Sequence, residues 1–307
     1  MQSTKSFSVF LLAVNCIAAA ELTGIPLQLT EKIPHRPHTA LSGSEFAKSV
    51  AGMTSHQREQ AILRQIVDGN IPDFLRHLVP VDLKLERPNQ KPIHATVFVL
   101  PDYLAIGSNS DFLRIPMNLE TATAVVDRLS FILPTRKIVD AIYKQSQYHF
   151  MPEPLPAGPE MRSTQYYQRH NAMIEKQAQA RGIPEGALVS GDKKDVVLSN
   201  LLTRNRGRIA IYGWHRPTGI PIQPLSTVHG ACYADYSHGI RLVSSTALVD
   251  GQPRPITDVL QNPALAPIVS DEGPIHTASV SHPPSAEDLG CGVDELHISG
   301  LASPVLP

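Results

Sequence analysis

Several stretches of the chain place apolar residues at helical spacing. Between Thr54 and Gly69, Ile62 and Ile66 fall on one face, and Thr54 is followed by Gln57 in the pattern of a capping box. IPDFLRHLVP predicts a short helical turn. Three further helices are predicted in MNLETATAVVDRLSFI, PTRKIVDAIYKQSQ and STQYYQRHNAMIEKQAQARG.

Other stretches alternate between apolar and polar residues with a period of two, which is typical of half-buried β-strands. VDLKLE, HATVFVL and YLAIGS predict an antiparallel meander between Val81 and Gly107. RIAIYGW, GIRLV and TALV predict short strands later in the chain, and Asp250 with Gly251 predicts a hairpin turn. Because strands and helices are grouped rather than alternating, we expect an α+β fold with antiparallel sheet elements and segregated helices.

The composition is that of a globular protein. The chain has 307 residues, of which 42% are hydrophobic and 18% charged, and its formal net charge is -1. We predict a signal peptide at 1–20, an extended lead-in at 21–53, an α+β domain at 54–276 and a flexible, proline-rich tail at 277–307. The nearly neutral charge argues against a nucleic-acid-binding protein, which would carry a basic surface.

The N-terminal sequence has the features of an export signal. Lys5 precedes an apolar run, and the residues from Ala18 to Ala20 form a cleavage site of the A-x-A type. The run is short for a membrane-spanning helix and is interrupted by Asn15. We therefore expect a secreted or periplasmic protein with no membrane association once the signal is removed.

Removal of the signal would leave two cysteines, Cys232 and Cys291, in the mature chain. An even number of cysteines in an oxidising compartment favours a disulfide. The sequence leaves two alternatives open. One is a buried free thiol, and the other is a nucleophilic Cys232 activated by His215 or His238.

Residues suited to acid–base chemistry concentrate in HGACYADYSHGIRLV, residues 229–243. Histidine exchanges protons near neutral pH and is a common metal ligand, so converging histidines would form a catalytic site. The predicted catalytic residues are His215, His229, Asp235 and His238. An interaction between Asp235 and His238 requires a turn or bulge at DYSH, because an extended strand would place these side chains on opposite faces.

Three mechanisms remain open for these residues. In the first, His215, His229 and His238 hold a divalent metal ion such as zinc, which activates water. Asp235 would be a further ligand. In the second, one histidine acts as a general base without a metal. In the third, Ser237 is the nucleophile, although no G-x-S-x-G motif surrounds it.

Other polar and aromatic residues near these positions suit substrate binding. Lysine and arginine attract carboxylate or phosphate groups, and an aromatic ring can stack on a planar substrate. The candidates are Lys193, Lys194, Trp214, Tyr236 and Arg241. A solvated loop would equally explain the two lysines, and a core position would explain the tryptophan.

Part of HGACYADYSHG resembles peptidoglycan hydrolases. It is similar to a glycine- and tyrosine-rich strand in zinc endopeptidases of the lysostaphin type, and to the histidine–aspartate motif of D-Ala-D-Ala carboxypeptidases. The resemblance is confined to this stretch, and the H-x-x-x-D and H-x-H elements of the endopeptidases are absent, so no family is assigned.

The sequence therefore predicts a secreted hydrolase with a histidine- and aspartate-centred site. Its substrate would be a small molecule or a polymer, such as cell-wall peptide or glycan. The alternative is a secreted binding module in which the same histidine, aspartate and tyrosine residues form a structural network. Clustered histidines with shifted pKa values in a cleft would favour the enzyme.

Overall fold

The computed structural model of the protein describes residues 33–276. The predicted signal peptide at 1–20 and the predicted tail at 277–307 lie outside the described residues, as does the first part of the predicted lead-in. Within the described range, no helix is both long enough and apolar enough to cross a membrane.

The chain is divided between helices and mainly antiparallel sheets, which confirms the α+β prediction. The helices are α1 (Gly43–Val50), α2 (Ser55–Val67), α3 (Leu119–Leu129), α4 (Arg136–Gln145), α5 (Thr164–Ala180), α6 (Leu201–Arg204), α7 (Ile256–Gln261) and α8 (Ala266–Val269). Short 3-10 helices occupy Asp73–Arg76, where a helical turn was predicted, and Pro159–Arg162.

The strands are β1 (Val79–Leu85), β2 (Ile93–Val99), β3 (Ala105–Ser108), β4 (Asp111–Arg114), β5 (Phe131–Ile132), β6 (Tyr148–His149), β7 (Val189–Ser190), β8 (Lys194–Val196), β9 (Ile211–His215), β10 (Pro221–Ser226), β11 (His238–Gly239), β12 (Val243–Ser244), β13 (Thr246–Val249) and β14 (Gln252–Pro255).

The larger sheet is built around β2. One edge of β2 pairs with β1 along its full length, and the other edge pairs with β12 and β13. The strand order is β14-β13-β2-β12-β5, with β1 beside β2. Val81 lies opposite Val97, and both side chains are fully buried in the hydrophobic core. Burial of such apolar side chains is the main stabilising contribution to the sheet.

The helix starts predicted from local signals are confirmed. Thr54 accepts a hydrogen bond from the backbone N–H of Gln57, whose side chain accepts one from the N–H of Thr54. Asn118, Thr135 and Ser163 cap α3, α4 and α5 by accepting from the N–H three residues ahead. Each cap satisfies a backbone donor that has no partner inside its helix, which contributes about 1 kcal/mol.

The extended lead-in predicted for residues 21–53 is wrong over α1. Ser42 and Glu45 form a second capping box, and Phe46, Ala47 and Val50 pack into the core. The helix has 8 residues, which is about two turns and too few to give a clear periodic pattern.

The meander predicted between Val81 and Gly107 is wrong for its third strand. β3 pairs with β4 in a separate hairpin, with Ile106 opposite Leu113. The predicted strand GIRLV is also divided, because β11 and β12 belong to different sheets. Alternating side chains identify a strand, but they do not identify its partner.

The smaller sheet brings together the segments that carry the predicted site. Its order is β10-β9-β8-β11. β8 pairs antiparallel with β9 and parallel with β11, so Lys194 lies opposite Gly213 on one side and His238 on the other. Residues far apart in sequence therefore share one region of this sheet.

Candidate functional site

A tight turn at DYSH connects Asp235 to His238. The N–H of His238 donates to the carbonyl oxygen of Asp235 at 3.0 Å, which closes the turn. The N–H and Oγ of Ser237 both donate to Asp235 Oδ1, at 2.7 and 2.6 Å. A turn, one of the two geometries expected to bring Asp235 and His238 together, is therefore present, although the two side chains form no hydrogen bond with each other.

Asp235 is buried, and its carboxylate is well supplied with hydrogen bonds. Besides the two bonds from Ser237, the hydroxyl of Tyr233 donates to Oδ2 at 3.0 Å. Burial raises the pKa of Asp235, but the neighbouring His238 and Lys194 and the bonds from Ser237 outweigh burial and bring the pKa to about 2. Asp235 is therefore a carboxylate at neutral pH.

His238 is fully buried, and neither of its ring nitrogens has a hydrogen-bond partner among the described residues. Burial lowers the pKa of His238 to about 4, so the ring is neutral at pH 7. A neutral imidazole carries one N–H donor and one acceptor nitrogen. Buried polar groups are nearly always hydrogen-bonded, so two ring nitrogens without a protein partner need another partner, such as a bound water or a ligand.

Two aromatic side chains lie beside His238. The rings of His229 and Tyr233 stack at 4.2 Å between centroids, with 10° between their planes. The centroid of the His238 ring is 6.1 Å from that of His229 and 5.7 Å from that of Tyr233. Burial also lowers the pKa of His229, which is partly exposed. His229 is thus the more accessible of the two histidines.

Lys194 and Trp214 complete the group. Lys194 Nζ lies 5.2 Å from the centroid of the Trp214 ring, in a cation–π contact. Trp214 has a φ of 56°, a left-handed conformation that is unusual for a bulky residue. Its Nε1 is buried and, within the described part of the chain, has no hydrogen-bond partner. Such strained positions often occur at functional sites.

We call this group the His238 cluster. It consists of Lys194, Trp214, His229, Tyr233, Asp235 and His238. Three of the four predicted catalytic residues belong to it, and it also contains two of the predicted substrate-binding residues. Tyr233 was not predicted as a site residue, although it stands within the histidine-rich stretch.

His215, the fourth predicted catalytic residue, makes its contacts elsewhere. Its Nε2 is 3.3 Å from Asp140 Oδ1, and its ring stacks on Tyr143 at 4.4 Å between centroids. The hydroxyl of Tyr212 also donates to Asp140 at 2.8 Å. The predicted convergence of His215 with His229 and His238 is not found. No pattern in the sequence pointed to Asp140, because it lies on α4 and precedes the histidine-rich stretch by a long distance along the chain.

The predicted metal site finds no support in this arrangement. Within residues 33–276, no group of three or more histidine, cysteine, aspartate and glutamate side chains is placed to hold a metal ion. The local reason is that His215 is held against α4, while the carboxylate of Asp235 accepts three hydrogen bonds from protein groups.

The other predicted substrate contacts have structural partners. Lys193 Nζ donates to the carbonyl oxygen of Tyr236 at 2.7 Å, and the hydroxyl of Tyr236 accepts from the N–H of Leu155 at 2.8 Å. Arg241 donates to two backbone carbonyl oxygens, each at 2.8 Å. Lys193, Tyr236 and Arg241 are all almost completely buried, so these side chains stabilise the fold around the site.

Cys232 lies in the loop that carries His229 and Tyr233. Its predicted partner, Cys291, lies outside the described residues. The disulfide between Cys232 and Cys291 therefore stays a prediction.

Comparison of the chain with protein families, curated proteins and solved structures finds no match. The function has to be inferred from the geometry of the His238 cluster.

Proposed function

We propose that the protein is a hydrolase in which His238 acts as a general base without a metal ion. The observation that carries this proposal is the buried, neutral His238, whose two ring nitrogens lack a partner among the described residues. A histidine retained for structure would be expected to hydrogen-bond to its surroundings. A general base needs instead a free nitrogen that can accept a proton from water or substrate.

Asp235 supports this role electrostatically. When His238 accepts a proton it becomes an imidazolium, whose charge is costly in a buried site. The nearby carboxylate of Asp235 is ionised and favours the charged form of His238. The hydrogen bonds from Ser237 and Tyr233 hold this carboxylate in a fixed position, so the stabilising charge is preorganised.

The proposed reaction is the hydrolysis of an ester or amide. His238 takes a proton from water as the water oxygen bonds to the acyl carbon. The imidazolium then returns the proton to the leaving oxygen or nitrogen as the acyl bond breaks. His229, which is close to His238 and more exposed, would contact the leaving group in this reaction.

The N-terminal sequence supports a location outside the cytoplasm, where cell-wall peptide and glycan are the proposed polymer substrates. Peptide is the better fit. Glycoside hydrolysis generally uses a pair of carboxyl groups, whereas Asp235 supplies the single carboxylate of the His238 cluster.

The test is a hydrolysis assay on nitrophenyl esters, dipeptide amides and peptidoglycan fragments. Replacement of His238 by leucine should lower the rate by about 100-fold or more, since general-base catalysis contributes roughly 10²- to 10⁴-fold. The matched control is His56→Leu, because His56 is exposed on α2. The wild-type rate should fall as the pH drops through about 4, where His238 becomes protonated. Equal rates for His238→Leu and the wild type would refute the proposal.

The second candidate is a non-catalytic binding module. The three hydrogen bonds to Asp235 favour it, because they also fit a structural network. Ligand binding without hydrolysis of any of these substrates would support the binding module over the hydrolase.

A further inference from the structure

Three hydrogen-bond donors in the His238 cluster have no protein acceptor among the described residues, and two of them, on Trp214 and His238, are buried, whereas Lys194 is partly exposed. They are the ammonium of Lys194, the Nε1–H of Trp214 and the one N–H that a neutral His238 must carry. The hydrogen bonds formed within residues 33–276 include none from these three groups. The ring of Trp214 faces the ammonium of Lys194, but it offers no oxygen atom as an acceptor.

The fold places Lys194 next to His238 on the neighbouring strand and in contact with the ring of Trp214. Lys194 and His238 are register partners in the parallel pair β8–β11, so their side chains leave the same face of the sheet. On the opposite edge of β8, Lys194 pairs with Gly213 of β9, and Trp214 is the next residue of that strand. The backbone N–H of Trp214 donates to the carbonyl oxygen of Lys193 at 2.8 Å, which fixes the left-handed residue in place.

Unsatisfied polar atoms also concentrate in this part of the molecule. Among the described residues, most buried side-chain atoms without a hydrogen-bond partner belong to Asp192, Asp195, Trp214 and His238, on or beside β8, β9 and β11. Within the His238 cluster, the unsatisfied groups of Lys194 and Trp214 can only donate. An acceptor-rich ligand would satisfy these two groups, but not the oxygens of Asp192 and Asp195, which are themselves acceptors.

We propose that Lys194, Trp214 and His238 bind a carboxylate group of the substrate. The carboxylate oxygens accept from the ammonium, the indole N–H and the imidazole N–H. The second nitrogen of His238 then remains free to act as the base. This inference names the substrate class of the proposed hydrolase and in that respect rests on it, but carboxylate binding itself requires no turnover.

The charge of the cluster favours a monoanion. Lys194 is the single cation among the three donors, and the nearby Asp235 is already negative. A phosphate dianion would bring two negative charges next to the Asp235 carboxylate with only one ammonium to balance them. A carboxylate has one charge and two acceptor oxygens, which match the donors.

Trp214 provides a direct probe, because the chain contains one tryptophan. The emission of the full-length protein is followed while N-acetylalanine is added, with N-acetylalanine amide as the neutral control and inorganic phosphate as a second anion at constant ionic strength. We expect a saturable change with N-acetylalanine, no saturable change with the amide, and weaker binding of phosphate.

Lys194→Met should weaken N-acetylalanine binding at least 10-fold, because it removes the cation and retains the length of the side chain. The control is Lys176→Met, a change at an exposed position of α5, which should leave binding unchanged. Should Lys194→Met fail to fold, Trp214→Phe removes only the indole N–H from the proposed contacts. Calorimetry should then show several-fold weaker binding than in the wild type.

Binding of the amide as tightly as the acid would overturn the carboxylate site, as would tighter binding of phosphate or no saturation with any probe. Equal affinity in the wild type, Lys194→Met and Trp214→Phe would also overturn it. Different results would refute the hydrolase and the carboxylate site. Carboxylate binding with no detectable hydrolysis would refute the hydrolase alone, and equal hydrolysis of acidic and neutral substrates would refute the carboxylate site alone.

Discussion

Asp235 and His238 lie in the same turn, but they differ in how well the surrounding protein satisfies their hydrogen-bonding groups. The carboxylate of Asp235 accepts three hydrogen bonds, whereas neither nitrogen of His238 has a partner among the described residues. An unsatisfied buried polar group costs stability unless water or a ligand satisfies it. Two unsatisfied nitrogens on one side chain beside an ionised carboxylate fit a residue retained for its chemistry.

Glu59 is a buried carboxyl group far from the His238 cluster in sequence, and it offers a clear pH test. It accepts hydrogen bonds from the N–H of Asn118 at the start of α3. Burial raises the pKa of Glu59 to about 7, despite hydrogen bonds from Thr121 and Asn118 that lower it. The folded protein therefore binds a proton here more tightly than the unfolded chain, whose carboxyl has an ordinary pKa near 4.5.

Because of this shift, the contribution of Glu59 to the free energy of unfolding should decrease as the pH rises. The contribution is fully present below about pH 4.5 and is lost as the pH rises through about 7. Urea titrations at pH 5 and pH 8 measure this. Between these two pH values, the free energy of unfolding of the wild type should fall by roughly 1–3 kcal/mol relative to that of Glu59→Gln. A difference between the two proteins that does not change with pH would contradict this account.

Short-range signals in the sequence identified most of the helices and one hairpin. Thr54, Asn118 and Thr135 cap their helices through contacts with residues only three positions away, so the signal and the structure are both local. The predicted turn at Asp250 and Gly251 joins β13 to β14, and both residues have positive φ, 49° and 77°. Such values are those of a two-residue hairpin turn.

The hairpin gives a matched test of backbone conformation. A Cβ added at Gly251 or at Gly52 would meet no atom within 4 Å, but only Gly251 has a positive φ. Gly251→Ala should therefore lower the free energy of unfolding by about 1 kcal/mol through conformational strain alone. Gly52→Ala should be neutral or slightly stabilising. Thermal unfolding of both variants checks this, and equal midpoints would show that the turn tolerates alanine.

Contacts between distant elements could not be predicted from the same signals. The parallel pairing of β8 with β11 places Lys194 beside His238, and only the fold establishes this pair. His215 was misplaced because its proximity to HGACYADYSHGIRLV in sequence suggested proximity in space. Its partner Asp140 lies on α4, and no local pattern links the two positions.

Considered as a whole, the chain is predicted to be exported and to carry a disulfide between Cys232 and Cys291. Cys232 shares a loop with His229 and Tyr233, so the bond would restrain one side of the His238 cluster. Peptide mapping of secreted protein without reductant should recover the two cysteines in one linked peptide pair. Cys291→Ser should lower the free energy of unfolding by about 2–4 kcal/mol, as loss of a disulfide commonly does. Recovery of both thiols in alkylated form from unreduced protein would contradict the prediction.

If His238 is retained for function at the expense of stability, its replacement by leucine should not lower the free energy of unfolding. Ser237→Ala is the matched comparison, because Ser237 is equally buried but donates to Asp235 at 2.6 Å. We predict that His238→Leu unfolds at the same or a higher urea concentration than the wild type, while Ser237→Ala loses about 1–3 kcal/mol. Destabilisation of His238→Leu by as much as Ser237→Ala would show that His238 is a structural residue.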